Sequence, residues 1–411
     1  MKVPRHYTCR YLISHGREYC TGKCPICAKA KSLMKIKSSL SKESFDGSAP
    51  TVFVGRFGYP KVRMGIMSPP EIREDAWLMD APRQWSREAY SVEKVVSLRS
   101  SLVNSRFLAS TSPSGRMVET AQEVAMALKP TDMEFVLAKN PSFRMSFSAY
   151  TPPSGPQAAL KKVRLQSNPK IPRKVEKAFY DTDFKASDAL VTLFKSGFDE
   201  NYLSRILSAG TLGVKVQRKL VPTRWSITAT DDTIAKSLIS QIRTFQEGDF
   251  WFWFGGYLGN YFMILSFPDV WSYELFELFV SSKIPSSEVP INTDYESFQG
   301  RKGYAEQTAG GYYASRLAVA EKLVQLKRQC SVLVIRFITN EYTAPLGVWV
   351  VREASRKALS HKPLIFSSQE LLIQYASSIS KSKFGFDLDV VLRRSRILRE
   401  LRTQRKLKEF I

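Results

Sequence analysis

The chain has 411 residues, of which 44% are hydrophobic and 24% are charged. This length fits roughly two to four domains, and this composition supports an ordinary buried core, which excludes wholesale disorder and fibrous classes. Lysine and arginine total 61 against 38 for aspartate and glutamate, so the formal net charge is +23. Such an excess favours an acidic partner, and nucleic acid is the first candidate.

Four of the five cysteines lie within the first thirty residues. A tetrahedral zinc site uses four such ligands, and a short loop such as Cys24-Pro25-Ile26-Cys27 places two thiolates on one ion without strain. His6 and His15 are possible substitutes, since three cysteines and one histidine bind zinc equally well. The pattern therefore predicts a structural zinc module over residues 1–30, with these ligands: Cys9, Cys20, Cys24 and Cys27.

Two alternatives to zinc stay open at this point. Cys20, Cys24 and Cys27 have the spacing with which radical-SAM enzymes hold an iron–sulfur cluster. A disulfide framework would require an oxidising compartment, but residues 1–10 carry no apolar stretch typical of a secretory signal. An intracellular protein is therefore expected.

The next segments predict a linker followed by a mixed domain. Residues 31–50 are rich in lysine and serine, which indicates a basic linker or a short exposed helix that can meet phosphate. From Thr51, apolar and polar residues alternate around Gly58-Tyr59-Pro60, as two strands and a turn would. Ser91–Val103 has apolar residues at helical spacing behind Ser91, so a capped helix is expected.

The segment RKLVPTRWSIT combines phosphate-binding charge with a stacking aromatic residue. This pairing is expected where a protein grips a strand end or a flipped base. The alternative is that the tryptophan lies in the core and the cations form a solvated face. The candidate nucleic-acid-binding residues here are Arg218, Lys219, Arg224 and Trp225.

A helical pattern over Ile234–Ile242 follows Thr230-Asp231-Asp232-Thr233, so Asp231 or Asp232 is expected to cap that helix. A metal-dependent nuclease would instead need a cluster of carboxylates. Nothing in the spacing of the acidic residues demands such a cluster, and the chain has neither a P-loop nor a dinucleotide-binding glycine pattern. The weak catalytic candidates are Asp183, Asp231, Asp232 and Glu353, with Asp181 nearby.

Phe250–Pro268 contains no charged residue and approaches the length of a membrane-spanning helix. Glycines and Asn260 interrupt it, which favours two buried strands around the Gly259-Asn260 turn and no membrane association. The polar stretch that follows is broken by Pro285 and Pro290. We therefore predict an α+β protein with a domain over residues 51–285 and another over residues 286–385.

Residues 386–411 predict a basic helix. Between Arg393 and Lys408 the chain has eight cationic residues and a single acidic one, Glu400. Arg393, Arg394 and Arg396 are expected to contact nucleic acid. Apolar residues and one serine recur at three- and four-residue steps, so one stripe should pack while the other faces solvent or phosphate. That stripe consists of Leu388, Val391, Leu392, Ser395, Leu398 and Leu401.

The last eight residues resemble the peptide by which replication and repair proteins dock on the sliding clamp PCNA. That peptide has a glutamine, two residues, an aliphatic residue, two residues and two bulky apolar residues. One helical turn would join the three apolar groups into a plug, while the glutamine bonds at its rim. Here these positions are Gln404, Leu407, Phe410 and Ile411, and Ile411 stands where a second aromatic is more common. The alternative is a tail that packs on its own protein.

Several long strings, together with the cysteines and the terminal peptide, make the chain resemble the archaeal Nre family of DNA repair proteins. The strings include GRFGYPKV (55–62), RKLVPTRWSIT (218–228) and AGGYYASRLAV (309–319). The resemblance spans nearly the whole chain and implies a cytosolic, nucleoid-associated archaeal protein that works with PCNA after DNA damage. It supplies no catalytic residues.

The expected function is thus a zinc-stabilised repair factor that binds DNA and is recruited to PCNA. A steep fall of binding with salt is expected from the charge. A repair enzyme with nuclease, glycosylase or nucleotide-modifying activity is the alternative. An RNA-binding zinc protein is a weaker one.

Overall fold

The computed structural model describes residues 24–40, 43–141, 143, 153–281 and 285–403. The chain forms two compact units. The first contains the residues up to Ile234 together with Thr343–Gly347, and the second contains Ala235–Tyr342 and the residues from Val348 onward. Each unit has a six-stranded sheet with helices, so the predicted mixed α+β class is confirmed.

The sheet of the first unit has the strand order β1-β5-β6-β4-β3-β2, with β4 and β6 parallel and the other neighbours antiparallel. Its strands are β1 (Ser44–Ala49), β2 (Thr51–Val54), β3 (Lys61–Ser68), β4 (Val103–Ser110), β5 (Thr131–Leu137) and β6 (Gln157–Leu165). Its helices are α1 (Pro25–Ser39), α2 (Pro82–Arg87), α3 (Val92–Ser100), α4 (Arg116–Met126), α5 (Arg173–Tyr180), α6 (Ala186–Lys195) and α7 (Glu200–Ser208). The following helix, α8 (Thr223–Ile242), begins in this unit and ends in the second.

Strong local signals are confirmed in this unit. β2 and β3 flank the Gly58-Tyr59-Pro60 turn as expected. Ser91 caps α3, because its Oγ accepts a hydrogen bond from the Lys94 amide. Turn residues and caps act through neighbouring backbone groups, so the sequence reveals them without tertiary information.

Of the two expectations for residues 31–50, the helix is correct in part, since α1 continues to Ser39, and the described residues after it form a strand rather than a linker. Leu33, Ile36 and Leu40 are buried at three- and four-residue steps along α1 and its C-cap, and α1 packs against α3. Ser44–Ala49 forms β1, which pairs with β5. Because lysine and serine outnumber the few apolar residues of this stripe, the composition of the segment does not predict its secondary structure.

The sheet of the second unit has the order β10-β9-β11-β8-β7-β12, with β9 and β11 parallel. Its strands are β7 (Phe250–Tyr257), β8 (Asn260–Phe267), β9 (Ser272–Phe279), β10 (Ile291–Glu296), β11 (Ser331–Ile338) and β12 (Leu364–Phe366). The helices that follow α8 are α9 (Ala309–Leu326), α10 (Trp349–Ser360), α11 (Gln369–Phe384), α12 (Asp389–Leu392) and α13 (Arg396–Thr403).

The uncharged segment from Phe250 forms the β7–β8 hairpin around Gly259-Asn260, as predicted. In the described part of the chain, no helix is long and apolar enough to cross a membrane. One face of the sheet packs against α11, α12 and α13 through a core that includes Phe276, Ile335 and Leu398.

The C-terminal helices are fixed to this sheet by a buried carboxylate. Glu274 on β9 accepts hydrogen bonds from Ser395 Oγ (2.6 Å) and from the amides of Arg396 (3.0 Å) and Ile397 (3.2 Å). Ser395 Oγ also accepts from the Leu398 amide, so the first turn of α13 has its amides satisfied. The basic helix predicted from Arg393 onward is therefore interrupted at Ser395, where the chain turns to receive this carboxylate. Burial raises the pKa of Glu274.

Candidate nucleic-acid interface

The start of α8 is held against the turn between β2 and β3. The Val54 amide donates to Thr223 Oγ1 at 2.9 Å. The Leu220 amide donates to the Thr111 carbonyl at 2.7 Å, and the Thr111 amide donates to the Pro60 carbonyl at 2.9 Å. These three bonds connect the strand edge, the turn and the segment that leads into the helix, so side chains from all three lie at one surface.

Three aromatic side chains lie at this surface, and we call them the aromatic patch: Phe57, Tyr59 and Trp225. They are 76%, 51% and 50% exposed. The ring centroids of Tyr59 and Trp225 are 6.2 Å apart with their planes at 46°. The guanidinium of Arg56 lies 4.9 Å from the Phe57 centroid. Trp225 is thus a surface residue, and the alternative that placed it in the core is wrong.

The predicted cations of this segment have two different environments. Lys219 and Arg224 are exposed. Arg218 instead donates from Nε to the Gly213 carbonyl (2.7 Å), from Nη1 to that of Phe179 (2.7 Å) and from Nη2 to that of Asp181 (2.8 Å). Burial lowers the pKa of Arg218. The N–H groups of Arg218 are thus occupied by hydrogen bonds to backbone carbonyls. The positive charge that a phosphate can reach comes from Lys219 and Arg224.

The predicted caps Asp231 and Asp232 do not cap a helix. α8 begins eight residues earlier than Asp231, at Thr223, so both aspartates lie in its middle. The buried residues of its first half are Ser226, Thr230 and Asp231, and Ser226 Oγ lies 3.2 Å from Ser204 Oγ. Because these three buried residues are polar, hydrophobic periodicity does not reveal this part of the helix.

The weak catalytic candidates are not brought together as a metal site. Within residues 24–40, 43–141, 143, 153–281 and 285–403, no group of three or more histidine, cysteine, aspartate or glutamate side chains is arranged to hold an ion. Asp183 is exposed in a turn in which its amide donates to Asp181 Oδ1. Glu353 is buried on α10 and forms an ion pair with Arg356 at 2.6 Å.

Two of the four predicted zinc ligands lie at the start of α1. Cys24 is the buried N-cap residue, and its Sγ accepts from the Cys27 amide at 3.4 Å. The amides at a helix start favour a negatively charged thiolate. Cys9 and Cys20 lie outside the described residues.

The basic residues of the C-terminal segment are at the surface of the second unit. Arg393, Arg394 and Arg396 are exposed, and the guanidinium of Arg396 lies 4.3 Å from the Tyr295 ring centroid. The predicted packing stripe is confirmed, since its members are buried or partly buried in the core: Leu388, Val391, Leu392, Ser395, Leu398 and Leu401. Gln404, Leu407, Phe410 and Ile411 lie outside the described residues.

The two aromatic residues of the turn beside Trp225 were not predicted as part of the site. Phe57 and Tyr59 occur in the string GRFGYPKV, where two aromatic residues occupy a turn that has no core to enter. Exposed aromatic residues grouped with cations mark a binding surface. This signal was available, but only the structure shows that the turn and the helix start lie side by side.

Comparisons with known proteins agree with this organisation. Residues 20–284 match the family model described as Archaeal Nre, N-terminal, and residues 296–410 match Archaeal Nre, C-terminal. The chain is 38% identical over 374 residues to the DNA repair protein NreB of Archaeoglobus fulgidus, covering 90% of this chain and 93% of that protein. No solved structure shows significant similarity to this chain.

Two further relatives are called DNA repair protein NreA. The one from Archaeoglobus fulgidus is 38% identical over 366 residues, which cover 88% of this chain and 91% of the relative. The one from Haloferax volcanii is 38% identical over 325 residues, which cover 76% and 77%. The chain is thus a two-unit α+β protein of the kind that carries both Nre domains. It belongs to the archaeal Nre family, and the predicted resemblance is confirmed.

The contrast between two adjacent cations gives a test of their roles. We expect Arg218→Ala to lower the free energy of unfolding by about 2 kcal/mol, because three carbonyls lose a charged donor. Lys219→Ala is the control and should change it by about 0.5 kcal/mol or less, as is usual for an exposed side chain. Urea denaturation followed by circular dichroism measures both. Equal effects would contradict the structural role of Arg218.

Proposed function

We propose that this protein is a DNA repair factor that binds DNA through the aromatic patch and its adjacent cations. The observation that carries the proposal is the exposed Tyr59–Trp225 pair beside Arg224 and Lys219. An exposed indole offers a planar apolar face on which another planar group can stack. Arg224 and Lys219 supply positive charge beside it, and the chain as a whole carries +23.

DNA is the partner favoured by this combination of groups. Cations bind the phosphates, while an aromatic face stacks on a base that is accessible at an end, a gap or a distortion. The names of the relatives, which describe DNA repair proteins, support the same class. The exposed arginines of the C-terminal segment offer further phosphate contacts on the second unit.

Removing the indole tests this proposal. Stacking on an aromatic residue contributes about 1–3 kcal/mol per base, so Trp225→Ala should weaken binding to a gapped duplex roughly 5- to 140-fold. Fluorescence anisotropy with a labelled oligonucleotide at fixed salt measures this change. The matched control is Trp77→Ala, because Trp77 is 44% exposed in the same unit and is not a member of the aromatic patch. Equal affinities of the Trp225→Ala variant and the unaltered protein would refute the proposed site.

We also propose that the C-terminal peptide recruits the protein to the sliding clamp PCNA. Gln404, Leu407, Phe410 and Ile411 have the spacing of clamp-binding peptides. α13 supports this proposal, because its described residues run to Thr403 and its first turn is fixed to the second sheet by Glu274. The peptide therefore follows directly from an anchored helix.

Calorimetric titration against PCNA from the same source tests the recruitment. The full-length protein should bind with micromolar or tighter affinity, and a version that lacks residues 404–411 should not bind. Phe410→Ala should abolish most of the heat because it removes one apolar prong of the plug, whereas Glu409→Ala should bind as the unaltered chain does. Equal binding with and without the last eight residues would remove the clamp from the proposal.

A structural zinc ion at the N-terminus is the third part of the proposal. Cys24 and Cys27 fit it, since two thiols lie within one turn and the amide of one donates to the sulfur of the other. Cys9 and Cys20 would complete the coordination of the ion. The ion would hold the segment before α1 in place and would have no catalytic role.

Elemental analysis of the purified protein should find one zinc per chain. Cys24→Ser and Cys27→Ser should each lose the metal and lower the melting temperature. Cys330→Ala is the matched control, because Cys330 is fully buried in the second unit and burial raises the pKa of its thiol to about 12. Iron and sulfide in place of zinc would establish the iron–sulfur alternative.

A further inference from the structure

The outward side of β2, β3 and β4 forms a second surface that no sequence pattern indicated. Phe53 is paired with Gly65, and Gly65 is paired with Arg106. Arg63 is paired with Leu108 in the neighbouring row. Residues paired across strands share a face of the sheet, and so do residues two apart on one strand. These four side chains, which we call the open face, therefore project from one side: Phe53, Arg63, Arg106 and Leu108.

Among the residues that the structure describes, none covers the outer part of the open face. The intervening residues Val52, Met64 and Phe107 project to the opposite side and are buried in the core of the unit. Leu108 is 64% exposed and Phe53 is 37% exposed. Farther along β3 the same side is covered, because Met67 packs with Met79 and Leu102. The exposed part thus begins where this small cluster ends and continues toward the turn that carries the aromatic patch.

Two like charges lie next to each other on this face. Arg63 and Arg106 are diagonal neighbours on adjacent strands, and such positions lie about 7–8 Å apart. Burial, and then the charge of Arg63, lower the pKa of Arg106. Nε of Arg106 is buried and has no hydrogen-bond partner in the described part of the chain. Neither guanidinium forms an ion pair with a carboxylate of the described residues.

This arrangement is unfavourable in the isolated protein. The two positive charges repel each other at this separation, and a guanidinium without a carboxylate partner gains strongly from a bidentate anion such as a phosphate. Leu108 and Phe53 beside them also gain from an apolar or planar partner. The missing partner must therefore bring negative charge and exposed planar groups together.

We propose that the open face binds an unpaired strand of DNA, with phosphates at Arg63 and Arg106 and bases against Phe53 and Leu108. This inference rests on the proposed function and adds to it the single-stranded class of substrate. A duplex satisfies the arginines equally well, but its bases are stacked inside and leave both apolar side chains in water. An unpaired strand offers a phosphate and an accessible base at each nucleotide, and open sheets bind such strands in other proteins.

The test compares a labelled 20-nucleotide oligothymidylate with a duplex of the same length by fluorescence anisotropy over a range of salt concentrations. The full-length protein should bind the single strand more tightly. The double variant Arg63→Ala/Arg106→Ala should weaken that binding at least tenfold and reduce the slope of log K against log salt by about 1.4, since each phosphate contact on a single strand contributes about 0.7. The matched control is Arg87→Ala/Arg116→Ala, which removes two exposed charges of the same unit.

Two further variants separate binding from folding. Leu108→Ala should weaken single-strand binding without changing the salt slope, because it removes an apolar contact and no charge. Arg63→Glu should raise the melting temperature, because the new carboxylate neutralises Arg106, and yet weaken DNA binding at least tenfold. A residue that acted only on stability would move both readouts in the same direction.

The outcomes that overturn this inference differ from those that overturn the proposed function. If the double arginine variant binds as the unaltered protein does while Trp225→Ala binds weakly, the open face is not a DNA site and the aromatic patch remains one. Equal affinity for duplex and single strand overturns the substrate class. Tighter binding of an oligouridylate overturns the assignment to DNA. Absence of binding to every DNA probe overturns the proposed function and this inference with it.

Discussion

The hydrogen bond from the Val54 amide to Thr223 Oγ1 is the contact on which the candidate interface depends. β2 is an edge strand, and the outward amides of an edge strand otherwise attract another chain. Thr223 satisfies one of them and so fixes the first turn of α8 beside the hairpin. Trp225 follows two residues later and is thereby held next to Tyr59. One edge contact both protects the sheet and assembles the aromatic patch.

The arginines of the first unit show how one residue type serves two purposes. Arg218 donates hydrogen bonds from Nε, Nη1 and Nη2 to the carbonyls of neighbouring loops and so holds these loops together. Arg63 and Arg106 are diagonal neighbours on adjacent strands, and burial and then the charge of Arg63 lower the pKa of Arg106. A high positive charge is thus not a uniform property of the surface. Its value for binding depends on which guanidinium groups have internal acceptors.

The sequence allowed prediction where the signal was local and failed where it was not. The hairpin at Gly259-Asn260 and the cap at Ser91 follow from residues next to the turn or helix that they control. The start of α8 was missed because the residues that are buried there, Ser226, Thr230 and Asp231, are polar. The open face was missed because the neighbours of Arg63 are set by pairing with a strand some forty residues away, and no short pattern records that register.

The anchoring of α13 by Glu274 limits how far the proposed clamp peptide can reach. The first turn of α13, whose described residues run to Thr403, is fixed to the second sheet by Glu274. Phe410 is seven residues further along the chain, and a fully extended chain of that length spans about 25 Å. Whatever binds Phe410 therefore comes within this radius of the second unit. A partner that binds Phe410 is therefore held close to the second unit, which gives the partner and this unit a high effective concentration relative to each other.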